Sequence, residues 1–154
     1  MKPYRKGVGI FLINQEKKVF VGQRSDNTSE AWQMPQGGIN KNEEPAKAAL
    51  RELEEEVGTC RVKVLHEHPG WIKYDLPQEL SSKLWGGKFA GQEQKWYLMQ
   101  LDGDDTLINI NTFHPEFKAW KWENPEELPN IIVPFKKALY QEVFDYFFPL
   151  IEKL

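Results

Sequence analysis

The sequence contains a single cysteine, Cys60, and therefore cannot form an intrachain disulfide. This composition indicates a reducing compartment, and a lone thiol is more typical of a small buried or half-buried filler than of a reactive group. Long apolar runs are also missing. The run from Val8 to Ile13 is too short for the core of a signal peptide or for a membrane span. We therefore expect a cytoplasmic protein that has no membrane partner.

An excess of basic residues is absent as well. Twenty Lys and Arg residues stand against 23 Asp and Glu residues, and the formal net charge is -3. The chain thus lacks the overall positive field that alone would announce nucleic-acid binding, and a polyanionic ligand must be held by a local patch or through metal ions. The histidines His66, His68 and His114 show no metal-ligand spacing, so a zinc site built from histidine and cysteine is not expected.

A chain of 154 residues with 40% hydrophobic residues suits one hydrophobic core, and we expect residues 1–154 to form a single domain. Two apolar runs, Val8 to Ile13 and Val19 to Gln23, are separated by polar residues and predict a β-hairpin. A polar loop is expected from Ser25 to Glu30.

The helix predicted from Glu44 to Val57 has the clearest pattern in the chain. Pro45 suits a first helical position, apolar residues form one stripe, and Gly58 suits the end. Further elements are predicted as strands at 61–66, 70–76, 94–101 and 117–122, a short helix or turn at 77–83, a loop at 86–91, and an amphipathic helix from 134 to about 148. Together they predict a mixed sheet with helices around it, an α/β sandwich.

Three glutamates share one face of the predicted helix, because Glu52, Glu55 and Glu56 stand at positions i, i+3 and i+4. Like charges at these spacings destabilise a helix by roughly 0.2–0.5 kcal/mol per pair, so helix stability does not explain them. Taken alone, the run fits a solvated acidic face as well as it fits a site. Convergent carboxylates are, however, the ligands that hard divalent cations such as Mg2+ prefer.

The glutamates belong to a longer pattern that resembles the Nudix box, G-x5-E-x7-R-E-U-x-E-E-x-G-U, in which U is aliphatic. The box covers residues 37–59, and its fixed positions fall on Gly37, Glu43, Arg51, Glu52, Leu53, Glu55, Glu56 and Gly58. One position departs from the pattern, since Thr59 stands where an aliphatic residue is preferred. We expect this change to soften the packing of the helix end and to remove no metal ligand.

The resemblance implies the Nudix fold, a mixed β-sheet in an α/β/α sandwich, and a hydrolase that depends on a divalent cation, Mg2+, with Mn2+ or Zn2+ as alternatives. It implies Glu52 and Glu56 as principal metal ligands, Glu55 as a ligand or a water-positioning carboxylate, and the Gly37 carbonyl as a further ligand. These three glutamates are the catalytic candidates, and which of them is the general base stays open. Glu43 and Arg51 are implied to be structural, with Arg51 holding carboxylates in place.

The resemblance extends over nearly the whole chain to the branch of bacterial RNA 5'-pyrophosphohydrolases and dinucleoside polyphosphate hydrolases. It is carried outside the box by residues 4–9, 32–40, 92–96, 115–117, 120, 122 and 135–137. In this branch the glutamate of the Pro-Glu-Phe segment, here Glu116, is an additional metal ligand or a candidate base. As a bare residue, Glu116 would be a surface carboxylate.

Several residues are candidates for substrate binding. Arg5, Arg24, Lys136 and Lys137 form a candidate phosphate-binding patch, in which Arg5 and Lys136 match branch positions that resemble phosphate or nucleotide contacts. Lys136 also opens the last predicted helix, where backbone N–H groups favour anions. For Lys137 a solvated surface position is an equal alternative. Gln94 is a candidate for following an RNA chain, and Tyr74 and Phe135 are candidates for stacking on a base.

The resulting hypothesis is hydrolysis of a phosphoanhydride bond, either in a 5'-triphosphate RNA end or in a dinucleoside polyphosphate such as diadenosine tetraphosphate. The sequence does not choose between these two substrates. A non-catalytic nucleotide-binding Nudix module is a first alternative, although such proteins commonly have degraded box glutamates and this box is complete. A hydrolase of modified mononucleotides is a second. No obligate protein partner is expected.

Overall fold

A mixed β-sheet forms the centre of the computed structural model, which describes residues 2–26 and 30–154. Its strands are β1 Tyr4–Ile13, β2 Val19–Arg24, β3 Gln36–Gly38, β4 Val62–Glu67, β5 Ile72–Asp75, β6 Gly91–Leu101 and β7 Phe117–Glu123. The strand order is β4-β6-β1-β2-β7, while β3 pairs with β1 and β5 pairs with β6. β1 and β6 are parallel, and the other pairs are antiparallel.

The predicted hairpin is confirmed by the pairing of β1 with β2 at Ile13 and Val19. Its turn is closed by Asn14, whose side-chain oxygen accepts hydrogen bonds from the backbone N–H groups of Glu16 and Lys18, each at 3.0 Å. Part of the expected loop from Ser25 to Glu30, residues 27–29, lies outside the described residues.

The described part of the chain contains four α-helices beside the sheet: α1 Pro45–Val57, α2 Gln78–Ser81, α3 Leu128–Ile131 and α4 Lys137–Glu152. The prediction for α1 is confirmed to within one residue, and Gly58 adopts a left-handed φ of 87° and donates its N–H to the Glu54 carbonyl oxygen. The prediction for the last helix stopped too early. α4 continues through Pro149 to Glu152 because Phe147 and Ile151 are both buried in the core.

Alternating residues of β1 serve two separate cores, one on each side of the sheet. Phe11 and Ile13 pack on the α4 side, whereas Val8, Ile10 and Leu12 pack on the α1 side. The expected α/β/α sandwich is confirmed by this arrangement. Within residues 2–26 and 30–154, no helix is long and apolar enough to cross a bilayer.

Two local features differ from the expectations. Strand β3 was not predicted, because two of its three residues are glycines, and it forms only by pairing with β1. Cys60 is exposed and donates to Glu54 Oε2 at 3.2 Å, so the interpretation as a buried filler is wrong. The neighbouring Thr59 is buried, and its hydroxyl oxygen accepts from the Arg61 N–H at 3.0 Å, which gives the helix end a polar closure.

Candidate active site

The glycine strand β3 lies directly under two of the helix glutamates. A Cβ atom at Gly37 would overlap the carboxyl group of Glu52, so this side chain rests on the Gly37 backbone. The adjacent Gln36 N–H donates to Glu56 Oε2 at 3.2 Å. The structure thus brings Gly37, Glu52 and Glu56 together in one small volume.

Glu56 is the most enclosed of the three glutamates, with only 5% of its surface exposed. Burial raises the pKa of its carboxyl group well above the ordinary value, and the nearby charges of Glu116 and Glu52 raise it further. Within the described part of the chain, no lysine or arginine forms an ion pair with it. A buried carboxylate in this position strongly favours the arrival of a cation.

Glu52 and Glu55 are less enclosed. Burial raises the pKa of the Glu52 carboxyl group, while the hydrogen bond that Glu52 Oε1 accepts from Arg51 Nη1 at 2.9 Å opposes this rise. Glu55 is exposed, and its carboxylate lies 3.3 Å from the same nitrogen. Glu52 and Glu56 therefore face inward, and Glu55 lies at the rim.

The guanidinium group of Arg51 connects the helix to the glycine strand. Its Nε and Nη2 atoms donate to the two carboxylate oxygens of Glu43 at 2.9 Å each, and Nη2 also donates to the Gly38 carbonyl oxygen at 2.9 Å. The hydrogen bond from Arg51, together with one from the Asn40 N–H, lowers the pKa of Glu43 to about 2. These contacts suit the structural roles implied for Arg51 and Glu43.

Glu116 joins this cluster from the opposite side, just before β7. Arg24 Nη1 lies 3.3 Å from its carboxylate, and Arg24 also pairs closely with Asp26. The charge of Glu116 raises the pKa of both Glu52 and Glu56. A residue 60 positions further along the chain than Glu56 thereby becomes a fourth acidic member of the site.

The donor set fits an oxygen-ligated divalent cation such as Mg2+. Within residues 2–26 and 30–154, no three acidic, histidine or cysteine side chains are placed closely enough to surround an ion. The charge nevertheless favours a cation, since the negative charges of Glu52 and Glu116 act on the buried carboxyl group of Glu56 and raise its pKa. The Gly37 carbonyl oxygen has room only because residue 7 is glycine, where a Cβ would lie 2.6 Å from it.

A cavity of about 490 Å³ opens beside the carboxylates. Five of the predicted substrate-binding residues lie in its wall: Arg5, Arg24, Tyr74, Phe135 and Lys136. Glu116 and Gly37 lie in the same wall, so the cationic and acidic parts of the site face one space. The Arg5 guanidinium also lies 4.9 Å from the ring centre of Trp85, another residue of the wall.

Lys136 is an unusual lysine because only 5% of its surface is exposed. Its Nζ atom lies 5.2 Å from the ring centre of Tyr74 and 5.9 Å from that of Phe135. Burial, together with the charge of Arg24, lowers the pKa of its amino group to about 7. Lys136 ends a short 3-10 turn, Pro134–Lys136, and immediately precedes α4.

Two predicted substrate-binding residues do not lie in the cavity wall. Gln94 is fully buried and donates to the side-chain oxygens of Gln36 at 3.1 Å and Gln92 at 2.6 Å. Its strand position turns Gln94 toward the α4 side of the sheet, where it supports two glutamines of the cavity wall and is not exposed to a ligand. Lys137 is exposed on the first turn of α4, where the solvated-surface alternative fits.

Three glutamine side chains in the cavity wall were not predicted: Gln33, Gln36 and Gln92. Gln33 is buried, and its Nε2 atom has no hydrogen-bond partner among the described residues. The sequence offered little indication of these three residues, because uncharged amide side chains occur in many surface and core positions. The position of Gln36 immediately before the box glycines was the one available hint.

Comparisons with known proteins agree with this geometry. The family model described as NUDIX domain matches residues 3–143. The chain is 54% identical over 141 residues, 92% of this chain and 85% of the relative, to a Rhodospirillum rubrum protein named RNA pyrophosphohydrolase. It is 48% identical over 150 residues, 97% of this chain and 93% of the relative, to a Rickettsia bellii protein of the same name.

Solved structures with the same fold include the E. coli dihydroneopterin triphosphate pyrophosphohydrolase, with a TM-score of 0.68 and 19% identity, covering 94% of this chain and 99% of that one. A C. elegans Ap4A hydrolase has a TM-score of 0.62 and 17% identity, covering 91% of this chain and 96% of that one. At these identities the likeness shows the fold alone, and it confirms the predicted fold class.

Proposed function

The chain belongs to the NUDIX domain family and is a hydrolase of that family, and from that premise we propose that it removes pyrophosphate from 5'-triphosphate RNA ends. Dinucleoside polyphosphates are the second substrate class. Nudix hydrolases generally need divalent cations, and we propose Mg2+ as the ion, with Mn2+ as its substitute. We further propose that residues 1–154 work as one domain in the cytoplasm.

One observation carries this proposal: the wall of a single cavity contains both carboxylates and buried or half-buried cations. Glu116 and Gly37 lie in its wall together with Arg24 and Lys136. A 5'-triphosphate has several negative charges in a row, and it requires divalent cations at the bond to be broken and fixed cations beyond it. The carboxylates and the cations of this wall meet these two needs.

We propose that Glu52, Glu56, Glu116 and the Gly37 carbonyl oxygen would hold the cation. The three carboxylates would draw together as it binds, because they are not close enough to surround an ion as they stand. When bound, a divalent cation acts as a Lewis acid that offsets phosphate charge and makes water more acidic. Glu55 lies at the exposed rim, where it is placed to orient a water molecule. The general base is a member of this glutamate set.

The remaining residues bind and orient the substrate. Arg51 fixes Glu52 through its hydrogen bond at 2.9 Å, so that this carboxylate loses little freedom when it binds. Lys136 and Arg24 hold phosphate oxygens, and an arriving phosphate favours the protonated form of Lys136. Tyr74 and Phe135, whose rings are tilted by 36° at 6.1 Å, form the apolar wall for a base.

The names of the relatives favour RNA over the dinucleotide, since both relatives cover most of this chain and are named for RNA. A dinucleoside polyphosphate nevertheless suits the same site, because a cavity of about 490 Å³ holds one nucleoside and lets the rest of the substrate extend outward. The non-catalytic alternative has less support, because the box glutamates are complete and these relatives are named as enzymes. Modified mononucleotides have no specific contact in their favour.

The experiment is product analysis with Mg2+ on a 5'-triphosphate RNA and on diadenosine tetraphosphate at equal concentration. We expect release of pyrophosphate from the RNA at the higher kcat/KM. Glu56→Gln should remove most turnover of both, while Glu142→Gln, an exposed carboxylate on α4, should leave both intact. Faster splitting of the dinucleotide would reverse the order of the substrates, and no turnover of either would end the proposal.

A further inference from the structure

An exposed tryptophan on the α1 side of the sheet lies under two lysines that come from different strands. Trp71 is 38% exposed. Lys6 Nζ lies 5.0 Å from its ring centre, and Lys95 Nζ lies 5.9 Å from it. Close by, Lys73 Nζ lies 4.8 Å from the ring centre of Tyr4. We name these five residues the Trp71 surface.

The Trp71 surface belongs to the same face of the sheet as Glu52, and to the opposite face from the cavity. Because side chains alternate along a strand, Lys6 is on the same face of the sheet as Val8, and Lys95 is on the same face as Tyr97. Val8 and Tyr97 both pack in the core on the α1 side. Helix α1 does not cover the beginning of β1, so Lys6 remains exposed. Arg5, the neighbour of Lys6, faces the other way and lines the cavity.

The pairing register aligns this surface with the proposed cation site. Val8 pairs with Gly37 on one side and with Lys95 on the other. Ile72 pairs with Gln94 in antiparallel strands, so Trp71 lies opposite Lys95. Gly37, Val8, Lys95 and Trp71 therefore form one row across neighbouring strands. At roughly 4.8 Å per strand, the row runs about 15 Å from Gly37 to Trp71.

The lysines of the Trp71 surface can present their charge to phosphates, although Lys95 Nζ also donates a hydrogen bond to the Pro69 carbonyl oxygen at 3.1 Å. Within residues 2–26 and 30–154, none of Lys6, Lys73 or Lys95 has a carboxylate at ion-pair distance. Glu93 pairs in the sheet with both Lys6 and Lys73 and offsets part of their charge. Asp75 is engaged by the Tyr4 hydroxyl group. Three lysines around two aromatic rings therefore leave a net positive, ring-bearing surface.

We propose that the Trp71 surface binds the single-stranded body of the RNA whose 5' end lies in the active site. Flat aromatic rings stack on bases of any sequence, and lysines beside them follow the phosphate backbone. The inference rests on the proposed function, because the RNA must reach this surface from the cation site at Gly37. It adds a second contact region that a mononucleotide or a dinucleotide is too short to use.

The test is a length series of unpaired 5'-triphosphate RNAs of two, four and eight nucleotides. With the wild-type protein we expect KM to fall as the RNA lengthens. In Trp71→Ala this advantage should disappear, with KM for the eight-nucleotide RNA raised about tenfold, while Trp71→Phe keeps part of it. The double variant Lys6→Gln/Lys95→Gln should lose the advantage as well and should show a weaker dependence of KM on salt.

Matched controls are Lys63→Gln, an exposed lysine of β4, and Tyr146→Ala, which is as exposed as Trp71 but lies on α4. Both should retain the length dependence. A KM that Trp71→Ala leaves unchanged at eight nucleotides, or raises equally at every length, would overturn the inference. Wild-type protein that hydrolyses none of the RNAs would instead overturn the proposed function, so the two failures are distinguishable.

Discussion

A methyl group on the α carbon of Gly37 would occupy the space that the carboxyl group of Glu52 fills. Gly37 is not among the described glycines with a positive φ, so the requirement is for space and not for an unusual backbone conformation. The first glycine of the box is therefore explained by contact with the glutamate that follows it 15 residues later. The absence of a side chain at Gly37 lets the Glu52 carboxylate rest against the backbone. There it lies next to the Gly37 carbonyl oxygen, which we propose binds the same cation.

Gly37→Ala should displace Glu52 while leaving the fold intact. A displacement of about 1 Å at a catalytic group costs on the order of 100-fold in rate, and we expect a loss of kcat of this size. The control is Gly70→Ala, where the nearest atom to an added Cβ is His68 Cε1 at 3.8 Å, so the methyl group makes only an ordinary van der Waals contact. Steady-state kinetics and a thermal melt measure both effects. Near-normal kcat in Gly37→Ala would contradict the assignment of Glu52.

Arg51→Lys should weaken cation binding more than it weakens the fold. Lysine keeps the charge but cannot reach Glu43, Glu52 and the Gly38 carbonyl oxygen together, as the planar guanidinium does. Loss of such a supporting contact typically costs 10- to 100-fold in metal affinity, and the Mg2+ concentration for half-maximal activity should rise by about that factor. Arg61→Lys, an exposed arginine, is the control. An unaltered Mg2+ requirement would remove Arg51 from this supporting role.

The sequence predicts best those parts of the site that lie on one regular element. Glu52, Glu55 and Glu56 share a helix face because helical spacing is fixed, and the helix ends follow from Pro45 and Gly58. The inward or outward direction of each glutamate depends on the strand that packs against the helix. Strand β3 has no sequence pattern of its own, so the burial of Glu56 could not be predicted.

Residues brought to the site by other elements were harder to predict. The resemblance placed Glu116 near the glutamates, but its bare sequence indicated a surface carboxylate. Gln94 was assigned to RNA because its segment matched the branch, yet a one-residue alternation in β6 decides which side chains turn inward. The Gln33 Nε2 atom has no hydrogen-bond partner among the described residues. This depends on the packing of residues distant in sequence, which no local sequence pattern predicts.

Without metal, Glu56→Gln should be more stable than the wild-type protein at neutral pH. The pKa of Glu56 is raised in the folded state, so the ionised form destabilises the fold. The contribution of Glu56 to wild-type stability should therefore be most favourable below the ordinary carboxyl pKa of about 4.5 and should fall as pH rises through the raised pKa. Glutamine keeps an acceptor for the Gln36 N–H and has no such dependence.

Thermal melts in a chelator at pH 5 and pH 7.5 measure this difference. The advantage of Glu56→Gln over wild type should be larger at pH 7.5, and added Mg2+ should reverse it by stabilising only the wild-type protein. Glu142→Gln, on the exposed face of α4, should show no such pattern. If Glu56→Gln melted at a lower temperature than wild type at pH 7.5 in the chelator, the claim that ionised Glu56 destabilises the fold would be wrong.

Lys136→Met should raise KM more than it lowers kcat, because the methionine keeps an unbranched chain but loses the charge that holds phosphate. The pKa of Lys136 is about 7, so its charge in the free protein is present below that pH and is lost as pH rises through it. The ratio of wild-type to variant kcat/KM, which reports ionisations of the free protein, should therefore be largest near pH 6 and shrink toward pH 8. Ionisations of other groups affect both proteins and cancel in this ratio.

The control is Lys137→Met, at the exposed neighbouring position, which should stay close to wild type throughout. A ratio that is high but constant from pH 6 to 8 would mean that the buried amino group keeps its proton, and a ratio near one would remove Lys136 from substrate binding.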